Sequence, residues 1–201
     1  MGARGVPGRG RSAEGGGAEQ RLAELSRHFL SLDADAIDDA VREHLAEAAD
    51  LAGADRTHLV VLDPLEQRVE GAYSWQRTRG GNPPIGLDIS LGERFPWARV
   101  ELERGRVAQA RTPADLPPEA ESERRMFEQR GTRSLLLIPV RSGRRLFGGQ
   151  LFETLDHERS WSEQEIGRLR LLGDIFASAI ERRRAEQALR ESEVRFRAFA
   201  E

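Results

Sequence analysis

Four histidines and a dense set of carboxylates are the residues of this chain best equipped for chemistry. His28, His44, His58 and His157 could each ligate a metal or an axial haem position. None has a second histidine three or four residues away, the spacing that sets two imidazoles on one helix face. His157-Glu158-Arg159 has the letters of a phosphoacceptor box, but it runs into Ser160-Trp161 instead of the required helical context. The serines lack a Gly-x-Ser-x-Gly elbow. Asp38-Asp39, Glu121 with Glu123, and the run 181–184 stand among arginines in helical patterns, as on solvated helix faces. No catalytic or metal-ligating set emerges.

What the chain lacks narrows the chemistry further. It has no cysteine, which removes disulfides, thiolate nucleophiles, cysteine zinc sites and thioether-linked chromophores. All 31 basic residues are arginine, so a P-loop lysine, a kinase strand lysine and any Schiff base are excluded. A net charge of −3 offers no general attraction for nucleic acid or an anionic membrane. No apolar run approaches the roughly 18 residues that span a bilayer. With no signal-peptide pattern in residues 1–17, a cytoplasmic location is expected.

The elements that must position any site follow from periodicity. Residues 1–17, rich in glycine, read as a disordered leader. Helical spacing begins at 18, with Leu22, Leu25 and Phe29 on one face. Ile37, Val41, Leu45, Ala48 and Ala52 mark a second helix, capped by Asp33 or Asp35 and stopped at Gly53. Residues 58–62 read as a strand and 69–76 as its hairpin partner, with Val69, Gly71, Tyr73 and Trp75 on one face. A Gly/Pro-rich loop over 77–92 follows, then a short helix over 97–104 and an edge strand over 106–110.

A polar helix over 119–130 stops at Gly131; residues 134–138 read as a central strand and 146–154 as its partner. Leu135, Leu137 and Leu151 are expected to point into the core. Ser162-Glu-Gln-Glu165 is a capping box, and nothing strong enough to end a helix follows before about residue 199. This final helix carries Ile166, Leu169, Leu172, Phe176 and Ile180 first, then Ala185, Leu189, Ser192, Phe196 and Phe199 at heptad spacing. The βαβ alternation of a parallel sheet is missing, so the expected class is α+β with an antiparallel sheet.

Residues 133–140, Arg-Ser-Leu-Leu-Leu-Ile-Pro-Val, followed by Gly148-Gly149-Gln-Leu-Phe152, resemble the two central strands of GAF domains. Arg159-Ser-Trp161-Ser, Glu165-Ile, Leu169, Leu172, Gly173 and residues 177–182 are similar to the closing helix of GAF domains in histidine kinases and related regulators. Residues 185–197 look like the linker that enters a PAS domain in such proteins. The resemblance implies about six antiparallel strands flanked by helices, a small-molecule pocket on one sheet face, and dimers through the terminal helices. The implied division is a leader over 1–17, a GAF-like sensory domain over 18–184, and a signalling helix or PAS linker over 185–201.

In that family the stretch corresponding to 77–94 covers the pocket mouth, and Trp75, Phe95 and Trp97 flank it here. Leu137, Pro139, Phe147 and Phe152 lie on the strands beneath, while Arg94 and Arg99 could neutralise an anionic ligand. The candidate ligand-binding set is Trp75, Phe95, Trp97, Arg99, Leu137 and Phe152; ordinary core packing is the competing reading of the same residues. The cyclic-nucleotide subclass, whose pattern includes lysine, is disfavoured. The expectation is a non-enzymatic sensor in a signal-transduction or two-component system, without a resident cofactor. Its partners would be an unidentified small molecule and a second copy of the chain. The alternatives are a ligand-free dimerisation module and the sensor fragment of a histidine kinase.

Overall fold

The computed structural model describes residues 11–63, 68–77 and 91–200. Residues 64–67, most of the expected Gly/Pro-rich loop, residues 1–10 of the expected leader and residue 201 lie outside the described residues. Helix α1 (Arg11–Ser31) begins inside that expected leader despite Gly15, Gly16 and Gly17. Each glycine costs about 1 kcal/mol relative to alanine in a helix interior. Burial of Leu22, Leu25 and Phe29 further along supplies the tertiary stabilisation that local composition does not.

Helix α2 (Ile37–Ala52) buries its predicted stripe completely and ends at Gly53, whose φ of 57° is the left-handed stop. The Ala54 amide reaches back to the Ala49 carbonyl at 2.8 Å, closing the cap. The expected side-chain cap is not made. A 3-10 turn over Ala34–Ala36 leads directly into the helix, Asp33 makes no cap bond, and Asp35 pairs with Arg190 instead.

Five strands form one antiparallel sheet in the order β2-β1-β5-β4-β3, one fewer among the described residues than the resemblance implied. They are β1 (Arg56–Leu62), β2 (Val69–Gln76), β3 (Ala108–Ala110), β4 (Ser134–Ser142) and β5 (Arg145–Thr154). All seven residues of β1 are buried because it has a strand on each side and a covered face above and below. In β2 the pairing slips between Val61 and Leu62, so Val69 sits opposite Leu62 and Glu70 bulges. The predicted alternation therefore breaks: Tyr73 and Trp75 pack on one face of the sheet, and Val69 packs on the other.

Three helices cover the first face: α1, α2 and the 38-residue α6 (Glu163–Ala200), about 57 Å long at 1.5 Å per residue. The capping box forms as expected, with the Glu165 amide donating to Ser162 Oγ and the Ser162 amide to Glu165 Oε2. Ile166, Leu169, Leu172, Phe176 and Ile180 are all buried, whereas Leu189 and Phe196 stand exposed beyond the domain. Trp161 wedges beneath the start of α6, donating from Nε1 to the Ala52 carbonyl at 2.7 Å. Among the described residues no helix is long and apolar enough to cross a membrane.

The second face carries the short helices α3 (Leu91–Arg94), α4 (Pro96–Glu103) and α5 (Glu121–Gln129). Here Val60, Leu137 and Leu102 form one apolar cluster, and Leu135 joins Phe127 and Leu116 in another. The neighbouring Gly148 is required by the sheet itself, since a Cβ there would lie 1.9 Å from the Val60 carbonyl oxygen.

Candidate functional site

On the second face, alternate residues of β1, β4 and β5 form the floor of a cavity roofed by α4 and α5. Val60, Leu135, Leu137, Gly149 and Leu151 come from the strands; Phe95, Trp97, Ala98 and Leu102 come from α4 and its entry; Met126 and Phe127 come from α5. The cavity measures about 50 Å³ and is almost wholly apolar. Its two charged lining residues, Glu123 and Arg130, have unlike surroundings.

Glu123 is fully buried, contrary to its reading as part of a solvated face. Pro96 opens α4 at its first turn, which leaves the following amides needing an acceptor. Glu123 Oε1 accepts them, at 2.9 Å from Trp97 N and 3.2 Å from Ala98 N, while Ser122 Oγ donates to Oε2. The carboxylate therefore acts as a cap reaching between helices, and it ties α4 to α5.

Arg130 is delivered by the C-terminal turn of α5, where Gly131 at φ 69° reverses the chain and the Thr132 amide returns to the Phe127 carbonyl. The turn also places Thr132 against Arg56 and Glu153, which with His58 are buried polar residues projecting from β1 and β5. Arg56 grips Glu153 with two hydrogen bonds, Nε to Oε2 at 2.8 Å and Nη2 to Oε1 at 2.6 Å. Thr132 Oγ1 donates to the same Oε1 at 2.6 Å. Burial pushes the Glu153 carboxyl upward, but contact with His58 and Arg56 overrides this and holds it down to about 2.

His58 binds Ser74 Oγ through Nδ1 at 2.7 Å. Its Nε2 lies 3.0 Å from Arg130 Nη2 and 3.4 Å from Glu153 Oε2. A neutral ring accepts from Arg130 there, and a protonated ring donates to Glu153. Burial lowers the His58 pKa; Glu153 partly offsets the shift, and the charges of Arg130 and Arg56 reinforce it. With neutral His58 the cluster holds two guanidiniums and one carboxylate. Arg56 takes that carboxylate, and Arg130 stays 3.9 Å from its nearer oxygen.

Three of the six residues singled out in the sequence, Phe95, Trp97 and Leu137, meet at the cavity. Trp75 and Phe152 do not, because their strand positions face α1, α2 and α6, where both join the larger core. Thr57 pairs with both across its two neighbouring strands, so one alternation turns the two residues away together. Arg99 follows the surface of α4 to Glu103 at 2.6 Å and does not line the cavity. The buried ionic cluster was not anticipated. Its partners are far apart in sequence, and no spacing rule links Arg56, Thr132 and Glu153.

The run 181–184 also differs from its reading as a solvated face. Glu181 bonds Arg145 and Ser142 of the β4–β5 hairpin. Arg182 donates to the Phe29 and Leu32 carbonyls at the end of α1, Arg183 pairs with Asp38 of α2, and Arg184 pairs with Glu70 of β2. Four consecutive residues of α6 thus tether it to four separate elements.

The fold matches known structures of sensory domains. The chain is similar to the phycocyanobilin-bound GAF domain of a cyanobacterial phytochrome, with a TM-score of 0.64 and 20% identity over 86% of this chain and 96% of that one. It is similar to a domain from Sinorhizobium meliloti 1021 described as part of a two-component sensor histidine kinase, with a TM-score of 0.55 and 18% identity over 76% and 96% of the two chains. The blue-light absorbing form of the Thermosynechococcus elongatus PixJ GAF domain gives a TM-score of 0.52 and 18% identity over 73% and 86%. No curated protein matches the chain. The family model described as GAF domain matches residues 36–180, from the turn before α2 to the last buried residue of α6, and the chain belongs to the GAF domain family.

Proposed function

We propose that this GAF domain is a non-catalytic cytoplasmic sensor that binds a small molecule in the cavity under α4 and α5. Occupancy is passed through α6 to an output domain in signal transduction. The observation that carries the reading is the two-sided role of β4. Leu137 faces the cavity, while its neighbours Leu136 and Ile138 pack in the core with α6. Interiors at crystal-like density transmit such displacements rather than absorb them. The tethers from Glu181 to Arg184 then carry any shift of the hairpin, α1 or α2 into the exposed part of the helix.

The bilins named for similar structures do not extend to this chain. Composition rules out a thioether attachment, and the cavity is far below the roughly 300–1,000 Å³ of pockets for drug-sized ligands. A compact ligand fits the reading better. Thermal denaturation of the intact chain against a metabolite and nucleotide library tests it, because a ligand of the native state must raise the melting temperature. A library without a single stabilising compound counts against the sensor.

A ligand-free dimerisation module is the second reading, favoured by the apolar groove between α1 and α6. Leu30 and Leu171 stand exposed at that groove, 75% and 57% accessible. Its occupant would be a second copy of the chain, with the heptad positions Ala185, Leu189, Ser192, Phe196 and Phe199 continuing the contact as a parallel coiled coil. Residues 185–201 would then serve as the signalling helix or PAS linker.

A further inference from the structure

We infer that the ligand of the α4/α5 cavity is a compact apolar molecule carrying one carboxylate, its head against Arg130 and its body against Val60, Leu137 and Leu151. The inference rests on the sensor reading and adds the chemistry of what is sensed. Arg130 is a mostly buried guanidinium, 14% exposed, in a cluster whose single carboxylate is already taken. Glu153 is doubly bonded by Arg56 and accepts Thr132 as well.

Arg130 keeps one described hydrogen bond, to His58, and its buried Nε has no partner among the described residues. The other acid of the cavity, Glu123, is occupied by the Trp97 and Ala98 amides and by Ser122. Burial lowers the Arg130 pKa; the charge of Glu153 partly offsets this, and the charges of Arg56 and Arg94 reinforce it. A mostly buried cation that shares its counter-ion, 3.9 Å away, with a more tightly bound partner is incompletely paired, and an incoming anion improves that pairing. Guanidinium matches the planar carboxylate through charge-assisted bonds.

Size and charge select within the anions. Arg56 and Arg130 exceed Glu153 by one charge, and the Glu123 carboxylate on the same lining opposes further negative charge, so the site suits a monoanion rather than a doubly charged phosphate. The rest of the cavity is apolar and about 50 Å³, which suits a short aliphatic body of only a few carbons. A carboxylate entering from the cavity side would take the vacant donor capacity of Arg130 without displacing Arg56 from Glu153.

The test is calorimetric titration and thermal denaturation of the intact chain with propionate and isobutyrate, against propionamide, isobutyramide and inorganic phosphate. The variants are Arg130→Gln and Arg130→Lys. The expected result is that the carboxylates stabilise the wild-type chain while the amides and phosphate do not. Arg130→Gln then weakens carboxylate binding by about tenfold or more, and Arg130→Lys recovers part of it. Without ligand, Arg130→Gln melts no lower than wild type, since it relieves an incompletely paired charge.

Equal stabilisation by amides and acids would overturn the anion assignment and leave the sensor reading standing. Stabilisation by phosphate alone would replace the carboxylate with a phosphoryl head. No effect of either acid, with Arg130→Gln melting several degrees lower, would make Arg130 a structural residue and end the inference. The library screen decides the sensor reading separately.

Discussion

Arg56 and Glu153 face each other across β1 and β5, joined by two hydrogen bonds of 2.8 and 2.6 Å in a region closed to solvent. The pair lies on the cavity face of the sheet, two residues beyond His58 and Leu151 on their respective strands. It therefore supports the end of the cavity where Arg130 stands.

Glu153 makes stability depend on acid. Its folded pKa of about 2 lies below the ordinary 4.5, so its contribution is complete above that value and is lost as pH falls from about 4.5 toward 2. His58, whose pKa is also lowered, resists protonation in the folded state and acts in the same direction. Urea unfolding at pH 7 and pH 3 should show the loss. Glu153→Gln should be destabilised by about 3–5 kcal/mol at pH 7 and lose much less on acidification. Parallel pH profiles for variant and wild type would count against this role.

Arg182 closes the end of α1. Its guanidinium donates to Phe29 O at 2.8 Å and to Leu32 O at 3.0 Å, serving carbonyls that the helix cannot satisfy itself. Arg182→Ala should cost about 1.5–3 kcal/mol. Hydrogen exchange should quicken in the last turn of α1 before it changes in the sheet. Uniform quickening throughout the domain would show that the contact is not local.

The glycine doublet of β5 separates backbone from side-chain constraint. A Cβ at Gly148 meets the Val60 carbonyl oxygen, while one at Gly149 meets the movable Leu102 side chain at 2.9 Å. Gly149→Ala should fold with a loss of about 1–3 kcal/mol. Gly148→Ala should lose more, because its neighbour is a strand backbone. Equal melting temperatures for the two variants would contradict the register.

Tryptophan fluorescence should map the cavity. Trp97 lines it, Trp75 packs on the opposite face, and Trp161 sits below α6. A stabilising ligand should shift emission in wild type, Trp75→Phe and Trp161→Phe, and leave Trp97→Phe nearly silent. A signal that survives in Trp97→Phe and vanishes in Trp161→Phe would move the site to the helix base.

Self-association should depend on the exposed half of α6. Isolated helices of this length are marginal in water, and Leu189, Val194 and Phe196 stand exposed. The intact chain should sediment as a weak dimer, and a chain ending at Arg184 should dissociate more readily. Leu171→Asp should weaken the dimer if the α1/α6 groove takes part. Monomers for the intact and the shortened chain at high micromolar concentration would remove the coiled-coil relay.

The sequence by itself determined the features that depend on neighbours three or four residues away or on strict alternation. The Ser162/Glu165 box, the Gly53 stop, the buried stripes of α2 and α6 and the paired strands β4 and β5 are of this kind. So is the exclusion of lysine- and cysteine-dependent chemistry. Phe95, Trp97 and Leu137 were also legible, through their types and their places beside the loop and on the central strand.

Only the tertiary structure decided which sheet face each strand residue serves. A single bulge at Glu70 separates Val69 from Tyr73 and Trp75, and Phe152 turns away from the cavity that Leu151 borders. Tertiary structure alone also brought together Arg56, His58, Arg130, Thr132 and Glu153, and buried Glu123 at the start of α4. Composition marks all of these as surface residues, because water is where an isolated charge is most stable. Burial becomes tolerable when folding supplies partners from distant segments, and those partners are set by topology rather than by spacing.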